Sequence, residues 1–456
     1  MSRRNLESLL DVGGRVVDLA KKAGADVAEV SVREGDHLSV KVRKGETELV
    51  EEAGSRSVGI RVMRGQQVAV TYTSDLSDAG IRRLVEDAVE LAALSQPDPF
   101  AGPPDPKLLS KRSEHRELDT YDETMSALGA GDAIRMAKEG EDAAFAYDKR
   151  ITNSEGATFT RAAGASALVT SGGFQGAVDG TYASLVVSPV ADDEGGKKRS
   201  GHYWAAKRKL RELATPKSVG DEAARRTLAK LGATKVDTQE VAVIFDPDAA
   251  RSILGLVAGC VSGGAIWRRS SYLVDREGTD VASSLVTIVD DPLLVGAPGS
   301  RSFDGEGLLS RRNVVVENGV LKTYLLDSYS ARKLNKESTA SASRGSSGGV
   351  SVGTTNFVLQ PGTMTAEELI RSTPRALYVT DMMGMGFNAV TGDFSRGASG
   401  FWVENGEKKF PVSEVTISLN LDQILKRIDA VANDLDMRTS VASPTIRVSA
   451  MTLAGK

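Results

Sequence analysis

The chain has 456 residues, of which 41% are hydrophobic and 26% are charged, and its formal net charge is -4. This composition excludes a disordered chain, and the acidic balance argues against binding nucleic acid or an anionic membrane through overall charge. A chain of this length is expected to form two or three domains with cores of their own.

Targeting and redox signals indicate the cytoplasm. Residues 1–7 bring in an acidic side chain early and no apolar run follows them, so we expect no secretory signal. The longest apolar stretch, near 253–261, contains glycines and is too short to span a bilayer. The single cysteine, Cys260, excludes an internal disulfide framework and fits a reducing compartment.

Helical and alternating patterns follow one another in the first half of the chain. Apolar spacing predicts helices over 5–23 and 78–94, and further helices within 121–144 and 221–231. A strand-rich block is expected over 150–190. Short antiparallel strands separated by turns, one of them at 34–36, are expected at four alternating runs: 27–32, 38–42, 58–62 and 68–72.

A segment with five prolines, 96–106, predicts a linker or a long surface crossing.

The second half is richer in strand and turn signals. A buried strand is predicted at 241–245, with a helix starting at Asp246-Pro247, and a glycine-rich stretch follows at 255–264. Asn318-Gly319 and Asn405-Gly406 predict two hairpins, because Asn-Gly supplies the positive φ angles of a two-residue turn. We also expect a mobile Ser/Gly-rich loop at 338–355 and a helix at 421–432.

These patterns predict an α+β fold. Residues 1–235 are expected to form an N-terminal α/β domain, with an antiparallel sheet, flanking helices and the Pro-rich linker 96–106. Residues 236–456 are expected to form a β-rich domain.

Three short motifs match functional patterns but lack the required surroundings. Residues 345–349 have the G-x-S-x-G spacing of a nucleophile elbow, yet polar flanks favour a flexible loop. Residues 384–389 match a relaxed dinucleotide fingerprint, but no helix pattern follows, so a turn or bulge is expected. Ser330 and Lys333 have S-x-x-K spacing without its companion motifs, which favours a helix surface.

Metal-binding and acid–base patterns are also incomplete. The three histidines, His37, His115 and His202, are too far apart for a local two-histidine motif. Cys260 has no histidine near it in sequence and is expected to be a small buried side chain. Acidic residues that can hold a cation or transfer protons, but that are expected to be solvated in loops, lie at three places: Asp192-Asp193, Asp290-Asp291 and Asp304/Glu306.

Four phrases in the C-terminal half carry a family resemblance: FDGEG, VVVENGVLKTYLLD, TGDFSRGASGFWVENG and ASPTIRV. They resemble the TldD/TldE family, also called PmbA or modulator of DNA gyrase. The N-terminal half is compatible through its order of helices and strands and the phrase SVGIRV.

The resemblance implies a zinc-peptidase scaffold without its zinc ligands. In the TldD branch, an H-E-x-x-x-H helix and a cysteine near the C-terminus hold zinc, and the glutamate is the general base. An ungapped placement puts Gly255 and Cys260 at the two histidines and Leu256 at the glutamate, and 436–443 contains no cysteine. The resemblance therefore implies the TldE/PmbA branch, with no catalytic residue and no cofactor in this chain.

In that branch the chain is expected to be the non-catalytic partner of a TldD-type zinc subunit that digests unfolded or leader-type peptides. A homodimer is possible in the absence of that subunit. Exposed strand edges and the glycine-rich segments 255–264 and 384–400 are the candidate peptide-holding elements. Two alternatives stay open: an autonomous peptidase with an unrecognised site, and a regulatory protein-binding factor.

Overall fold

The computed structural model describes residues 5–456. The α-helices of this part of the chain are α1 (Leu6–Lys22), α2 (Asp78–Leu94), α3 (Glu123–Ser126), α4 (Ala130–Tyr147), α5 (Pro216–Leu228), α6 (Pro247–Cys260), α7 (Gly263–Trp267), α8 (Ser328–Leu334), α9 (Ala366–Arg371) and α10 (Leu421–Lys426).

The strands of the first half are β1 (Val27–Arg43), β2 (Glu46–Arg64), β3 (Gln67–Thr73), β4 (Ile151–Thr170), β5 (Gln175–Asp192), β6 (Lys198–Ser200) and β7 (Tyr203–Lys207). Those of the second half are β8 (Gln239–Phe245), β9 (Ile288–Asp290), β10 (Asn313–Glu317), β11 (Val320–Leu321), β12 (Ala342–Arg344), β13 (Val350–Val352), β14 (Phe357–Leu359), β15 (Arg375–Met383), β16 (Asp393–Glu404), β17 (Glu407–Asn420), β18 (Ile428–Val431), β19 (Val441–Ala442) and β20 (Ile446–Ala454).

The first half forms one antiparallel sheet in the order β3-β2-β1-β4-β5-β6, with β7 also paired to β5. The helices cover one face in two groups. α1 and α2 pack on one end of the strands, around Val30, Val32 and Ile60. α4 and α5 pack on the other end, around Leu38 and Phe159. The two hydrophobic cores leave the middle of the long strands uncovered by helix.

The turn predicted at 34–36 is wrong. β1 runs straight through Glu34, Gly35 and Asp36, because β2 pairs with one side of it and β4 with the other. Pairing on both sides outweighs the local turn preference of glycine between acidic residues. The predicted runs 27–32 and 38–42 are therefore two ends of one strand.

The second half combines three pieces of sheet. β17-β16-β15-β8-β20-β18 form the largest, and an additional β17–β20 pairing closes five of its strands into a ring. β11-β10-β9-β14-β19 form a smaller sheet, and β12 and β13 form a separate hairpin. Helix α6 lies in the main core, where its apolar face joins residues from both larger sheets. The α+β class is confirmed, while the division at 235/236 stays a prediction.

Turn chemistry was the most reliable signal in the second half. Asn318 and Asn405 adopt positive φ, as do the glycines after them, and both form the predicted hairpin turns. The helix predicted over 421–432 is wrong in length. It ends at Lys426, because 428–431 forms β18 against β20.

The Pro-rich segment is held against helix α8 rather than crossing as a loose linker. The Arg332 guanidinium donates to the carbonyl oxygens of Phe100, Gly102 and Pro103 at 2.7, 2.9 and 3.2 Å. The Tyr329 hydroxyl donates to Asp98 at 2.7 Å. This segment therefore ties the first half of the chain to the second.

No helix within residues 5–456 combines the length and apolar character needed to cross a bilayer.

Candidate functional site around helix α6

Helix α6 starts where strand β8 ends, as predicted. The Asp246 carboxylate caps the helix by accepting from the Ala249 amide at 2.8 Å, and Pro247 occupies the first turn, where its missing N–H costs nothing. Ile253, Leu254 and Val257 are buried in the main core. The other face, which carries Gly255 and Gly259, is exposed.

The residues that occupy the positions of the missing zinc motif differ in their exposure to solvent. Gly255 is exposed, Leu256 is half-buried, and Cys260 is buried at 1% exposure. The Cys260 side chain belongs to the main core, so it does not face the surface that carries Gly255. Burial raises the pKa of the Cys260 thiol to about 11, which keeps it protonated at neutral pH. The predicted small buried role of Cys260 is confirmed.

The segment expected to carry the third ligand is organised by Arg438 instead. Its guanidinium pairs with Asp436, donates to Asp248 at 3.2 Å and to the Trp204 carbonyl at 2.7 Å, and lies 4.7 Å from the centre of the Trp204 ring. Arg438 thus joins 436–443 to both α6 and β7. Across residues 5–456, no three histidine, cysteine or acidic side chains group together in a way that could hold a metal ion. The residues present do not fit a catalytic zinc ion.

The three histidines lie on separate parts of the fold. His37 is on β1, and His115 stacks near Phe174 and Phe303, with ring centres 5.8 and 4.8 Å away. Burial lowers the pKa of His115. His202 precedes β7 and lines a cavity beside α6. The sequence expectation that they form no local motif agrees with these positions.

That cavity, which we call the α6 cavity, has a volume of about 530 Å³ and lies where the two halves meet. Side chains from β7 and α5 of the first half face the start of α6, strand β15 and the β16–β17 hairpin of the second. Its lining includes four aromatic residues, Trp204, Tyr378, Phe401 and Phe410. Acidic and basic side chains also reach it: Asp246, Asp248, Asp381, Arg225, Arg226, Lys230, Arg251, Lys408 and Lys409.

Two carboxyl groups at the start of α6 have opposite electrostatics. Burial raises the pKa of Asp246 to about 7, and its N-cap hydrogen bond only partly opposes this. Burial also disfavours the ionised form of Asp248, but Arg438 and Arg251 more than offset it and lower its pKa. Sequence patterns identified Asp246 as a helix cap and gave no sign of the cavity, because its walls come from distant segments.

A larger cleft, about 1180 Å³, lies over the middle of the first sheet. Its floor includes 33–37 of β1, 162–166 of β4 and 177–182 of β5, and its wall includes 115–121. Gly35 pairs with Gly164, and Gly164 with Gly180, so a row of glycines crosses three strands. The lining of the cleft carries both signs of charge.

The first sheet also has a long free edge. β3 pairs with β2 only from Val58 onward, so residues 46–57 of β2 pair with β1 alone within the described chain. Residues 46–56 are exposed. A strand with one unpaired side presents backbone donors and acceptors that an extended chain can bind.

The serine and glycine motifs take structural positions. Residues 345–349 form the tip of the β12–β13 hairpin, where Gly348 packs against Gly59 and Ile60 of β2, so no strand–helix elbow exists there. Residues 384–389 connect β15 to β16, and no helix follows them. The connection at 384–389 agrees with the turn or bulge that the sequence favoured. The expected flexible loop at 345–349, and the mobile loop at 338–355 around it, are corrected to a β-hairpin whose tip packs against β2.

Ser330 and Lys333 do not form a catalytic pair. Ser330 is buried at 2% exposure, which corrects the expected helix surface. The Lys333 ammonium lies 4.0 Å from the ring centre of Phe100 and 5.2 and 5.3 Å from those of Trp267 and Tyr329. These rings hold the lysine by cation–π contact.

The acidic residues at these three places differ in burial. Asp192 is exposed and pairs with Lys198, whereas the Asp193 side chain is 5% exposed and pairs with Arg199. Asp291 is half-buried and approaches Arg312 at 3.8 Å. Asp290, Asp304 and Glu306 are buried at 1%, 1% and 2% exposure, so the expectation of solvated loops is wrong for them.

Burial of these acids follows from backbone groups that need partners. Asp304 accepts from the amides of Glu306, Leu308 and Ala342 at 2.9, 3.0 and 3.1 Å, and Glu306 accepts from that of Ser328 at 2.9 Å. These carboxyl groups satisfy loop amides that would otherwise be buried without acceptors. Burial and the nearby Asp304 raise the pKa of Glu306 to about 7.

Comparison with known proteins assigns this architecture to a family. Models of the PmbA/TldA metallopeptidase domain 1, central domain and C-terminal domain match residues 28–92, 124–231 and 238–455. The metalloprotease PmbA of Escherichia coli O157:H7 is 35% identical over 432 residues, which cover 95% of this chain and 93% of that protein. A PmbA homolog of Haemophilus influenzae is 37% identical over 442 residues, covering 96% and 94%.

The fold also matches a solved structure over its whole length. A crystal structure of a proposed modulator of DNA gyrase from Bacteroides thetaiotaomicron has a TM-score of 0.91 and 26% identity, and 98% of each chain is covered. The resemblance seen in the C-terminal phrases is confirmed and extends through all three domain models. The chain belongs to the PmbA/TldD family of metallopeptidases.

Proposed function

We propose that this chain is a non-catalytic, cytoplasmic partner subunit of a TldD-type zinc peptidase that acts on unfolded or leader-type peptides. The observation that carries the proposal is the state of helix α6. The family fold is retained, but Gly255 and Leu256 supply no ligand and no base, and the Cys260 side chain is buried.

The chemistry of α6 supports this assignment. Zinc-assisted peptide hydrolysis needs several ligands and a general base beside the bound water. A single protonated thiol, directed into the main core, provides neither. The relatives carry the name metalloprotease, and in this chain the corresponding helix lacks the donor atoms for that chemistry.

The exposed face of α6 suggests what the subunit contributes. Within the described chain, and apart from adjacent residues and the helix's own backbone, no heavy atom lies within 4 Å of a Cβ built on Gly255 or Gly259, so this face is open and lacks side chains at both positions. A surface of this kind lets another backbone approach closely. We propose that it faces the zinc subunit or its peptide, and that the chain self-associates when that subunit is absent.

The test is zinc content and peptidase activity of the purified chain, alone and mixed with a TldD-type subunit. We expect no stoichiometric zinc and no turnover of an unfolded peptide by the chain alone, and activity in the mixture. A mixture with a zinc subunit whose general-base glutamate is replaced by glutamine is the matched control and should be inactive.

Three results would contradict the proposal. Stoichiometric zinc with chelator-sensitive turnover by the chain alone would show an unrecognised zinc site. Turnover that persists in chelator would show an autonomous peptidase of another type. If the activity of the zinc subunit does not change when this chain is added, a regulatory protein-binding role would be the better interpretation.

A further inference from the structure

Two opposite charges in the α6 cavity have no direct salt-bridge partner. Within the described chain, neither Asp246 nor Lys408 forms a direct salt bridge, although the Asp246 carboxylate and the Lys408 ammonium attract each other from a longer distance. The other charged residues of the lining form salt bridges: Arg226 and Arg251 with Asp248, Lys230 with Asp381, Arg225 with Glu222, and Lys409 with Glu407. Among the described residues of the lining, Asp246 and Lys408 are therefore the charged groups without a direct salt-bridge partner.

Asp246 is a buried acceptor with unused capacity. It is 6% exposed and lines the cavity, and one of its oxygens caps α6. A carboxylate has room for further donors, and its ionised form is costly when buried without a cation. Its raised pKa is consistent with this position. A cationic ligand group entering the cavity would supply the missing partner.

Lys408 lies on an aromatic wall of the same cavity. Its ammonium is 3.3 Å from the centre of the Tyr378 ring and 5.7 Å from that of Phe401. These contacts hold the ammonium by cation–π attraction but leave its N–H groups without a carboxylate. Lys408 is therefore available to an anionic ligand group.

We propose that the α6 cavity binds a short peptide with free ends, its α-ammonium at Asp246 and its carboxylate at Lys408. A volume of about 530 Å³ lies in the range of cavities that enclose small organic ligands, and the aromatic lining suits apolar side chains between the two charged ends. The biological meaning rests on the proposed function, since such peptides are what a peptidase releases. The binding itself does not depend on that function.

The test is calorimetric titration of the chain alone with trialanine, N-acetyl-trialanine and trialanine amide at neutral pH. We expect trialanine to bind and either modification to weaken binding by about tenfold or more. Asp246→Asn should weaken trialanine to a similar degree and leave the acetylated peptide unaffected. Lys408→Gln should weaken trialanine and leave the amide unaffected.

The variants are chosen so that the fold is kept. Asparagine caps helices about as well as aspartate, so Asp246→Asn removes the charge and retains the cap. Asp381→Asn is the matched control, because it removes a cavity carboxylate that already has Lys230 as a partner. It should change trialanine affinity much less than Asp246→Asn.

Two outcomes would overturn the inference. One is that trialanine does not bind at millimolar concentration. The other is that N-acetyl-trialanine binds as well as trialanine, or that the Asp246→Asn variant binds trialanine as well as the wild type does. Either result would indicate that the basic side chains of the cavity bind the carboxylate end alone, as they would any anion. Because no zinc subunit is present, these results are separable from the failure of the proposed function.

Discussion

At position 246 a carboxyl group caps a helix from inside a cavity, and its two roles make opposing demands on its charge. The helix start favours an anion, but burial dominates and raises the pKa of Asp246 from its ordinary value to about 7. The charged or titratable groups that act on it or line the same wall are Asp248, Asp381, Arg226, Lys408 and Tyr378.

Asp246→Asn should therefore stabilise the protein in a pH-dependent way. The folded state keeps a proton that the unfolded chain loses above about pH 4, so the wild-type free energy of unfolding falls as pH rises towards 7. The variant has no carboxyl group at position 246, so its free energy of unfolding does not fall in this way. We expect its advantage in urea unfolding to grow by roughly 2–4 kcal/mol between pH 5 and pH 8. An advantage that is equal at both pH values would show that the Asp246 pKa is not raised.

The sequence identified some residues of this region and not others. Asp246-Pro247 was recognisable as a helix start, and Cys260 as a small buried side chain, because both depend on neighbours along the chain. The placement of Asp246, Lys408 and Tyr378 around one cavity depends on segments far apart in sequence, which no local pattern records.

At the scale of the element, helix α6 shows that introducing the residue types of the zinc motif is not enough to build a zinc site. The triple change Gly255→His, Leu256→Glu and Cys260→His recreates the zinc motif in sequence. We expect no stoichiometric zinc, because position 260 is buried in the main core and 436–443 contains no cysteine that could act as the third ligand. Zinc analysis after dialysis is the measurement, with Gly255→His alone as the control for folding. One bound zinc per chain would show that position 260 can reach a metal ion and that another group of the chain completes the site.

Glycines of the segment 255–264 should respond in opposite ways to alanine. Gly255→Ala should stabilise the chain by about 1 kcal/mol, since it removes the helix penalty of glycine and meets no atom within 4 Å. Gly263→Ala should destabilise it, because the new methyl would lie 2.6 Å from Leu326 and 2.7 Å from Ser330. Thermal unfolding of both variants measures this. If Gly255 faces the zinc subunit, the stabilised variant should also activate that subunit less well.

Strand β1 illustrates the limit of element prediction. The apolar runs at both of its ends were identified, but Glu34-Gly35-Asp36 has the composition of a turn. Two neighbouring strands pair with this stretch, and the middle of the sheet lies between the two helical groups, where charged side chains are tolerated. The sequence shows the alternating apolar pattern at the two ends of β1. It does not show which segments pack against the middle of this strand.

At the scale of the whole molecule, buried polar contacts that the sequence did not reveal hold the loops of the second half together. Asp290, Asp304 and Glu306 lie in turn-rich stretches, for which the sequence predicts solvated side chains. They are buried because these loops fold inward and their amides need acceptors. Local composition describes each loop, whereas burial depends on the other segments that pack around it.

A buried polar contact that does join the two halves surrounds Glu29 of the first half, at 1% exposure. Arg344 of the second half donates to it at 2.6 Å, and Arg61 of β2 at 3.1 Å. Burial opposes ionisation of Glu29, but the two arginines more than offset it and lower its pKa. Each partner is needed because a buried charge without compensation is expensive.

Arg344→Met should therefore destabilise the protein by about 3 kcal/mol, since it leaves Glu29 buried with one cation. Adding Glu29→Gln should not recover this loss, because it leaves the Arg61 guanidinium, 9% exposed, without its carboxylate partner. Arg83→Met is the surface control: Arg83 is 84% exposed and approaches Asp87 at 3.8 Å, so its loss should change stability little. Urea unfolding at neutral pH measures all three. If Arg344→Met behaves like Arg83→Met, the halves are held together by apolar packing, and the buried ion pairs serve only to fix their relative position.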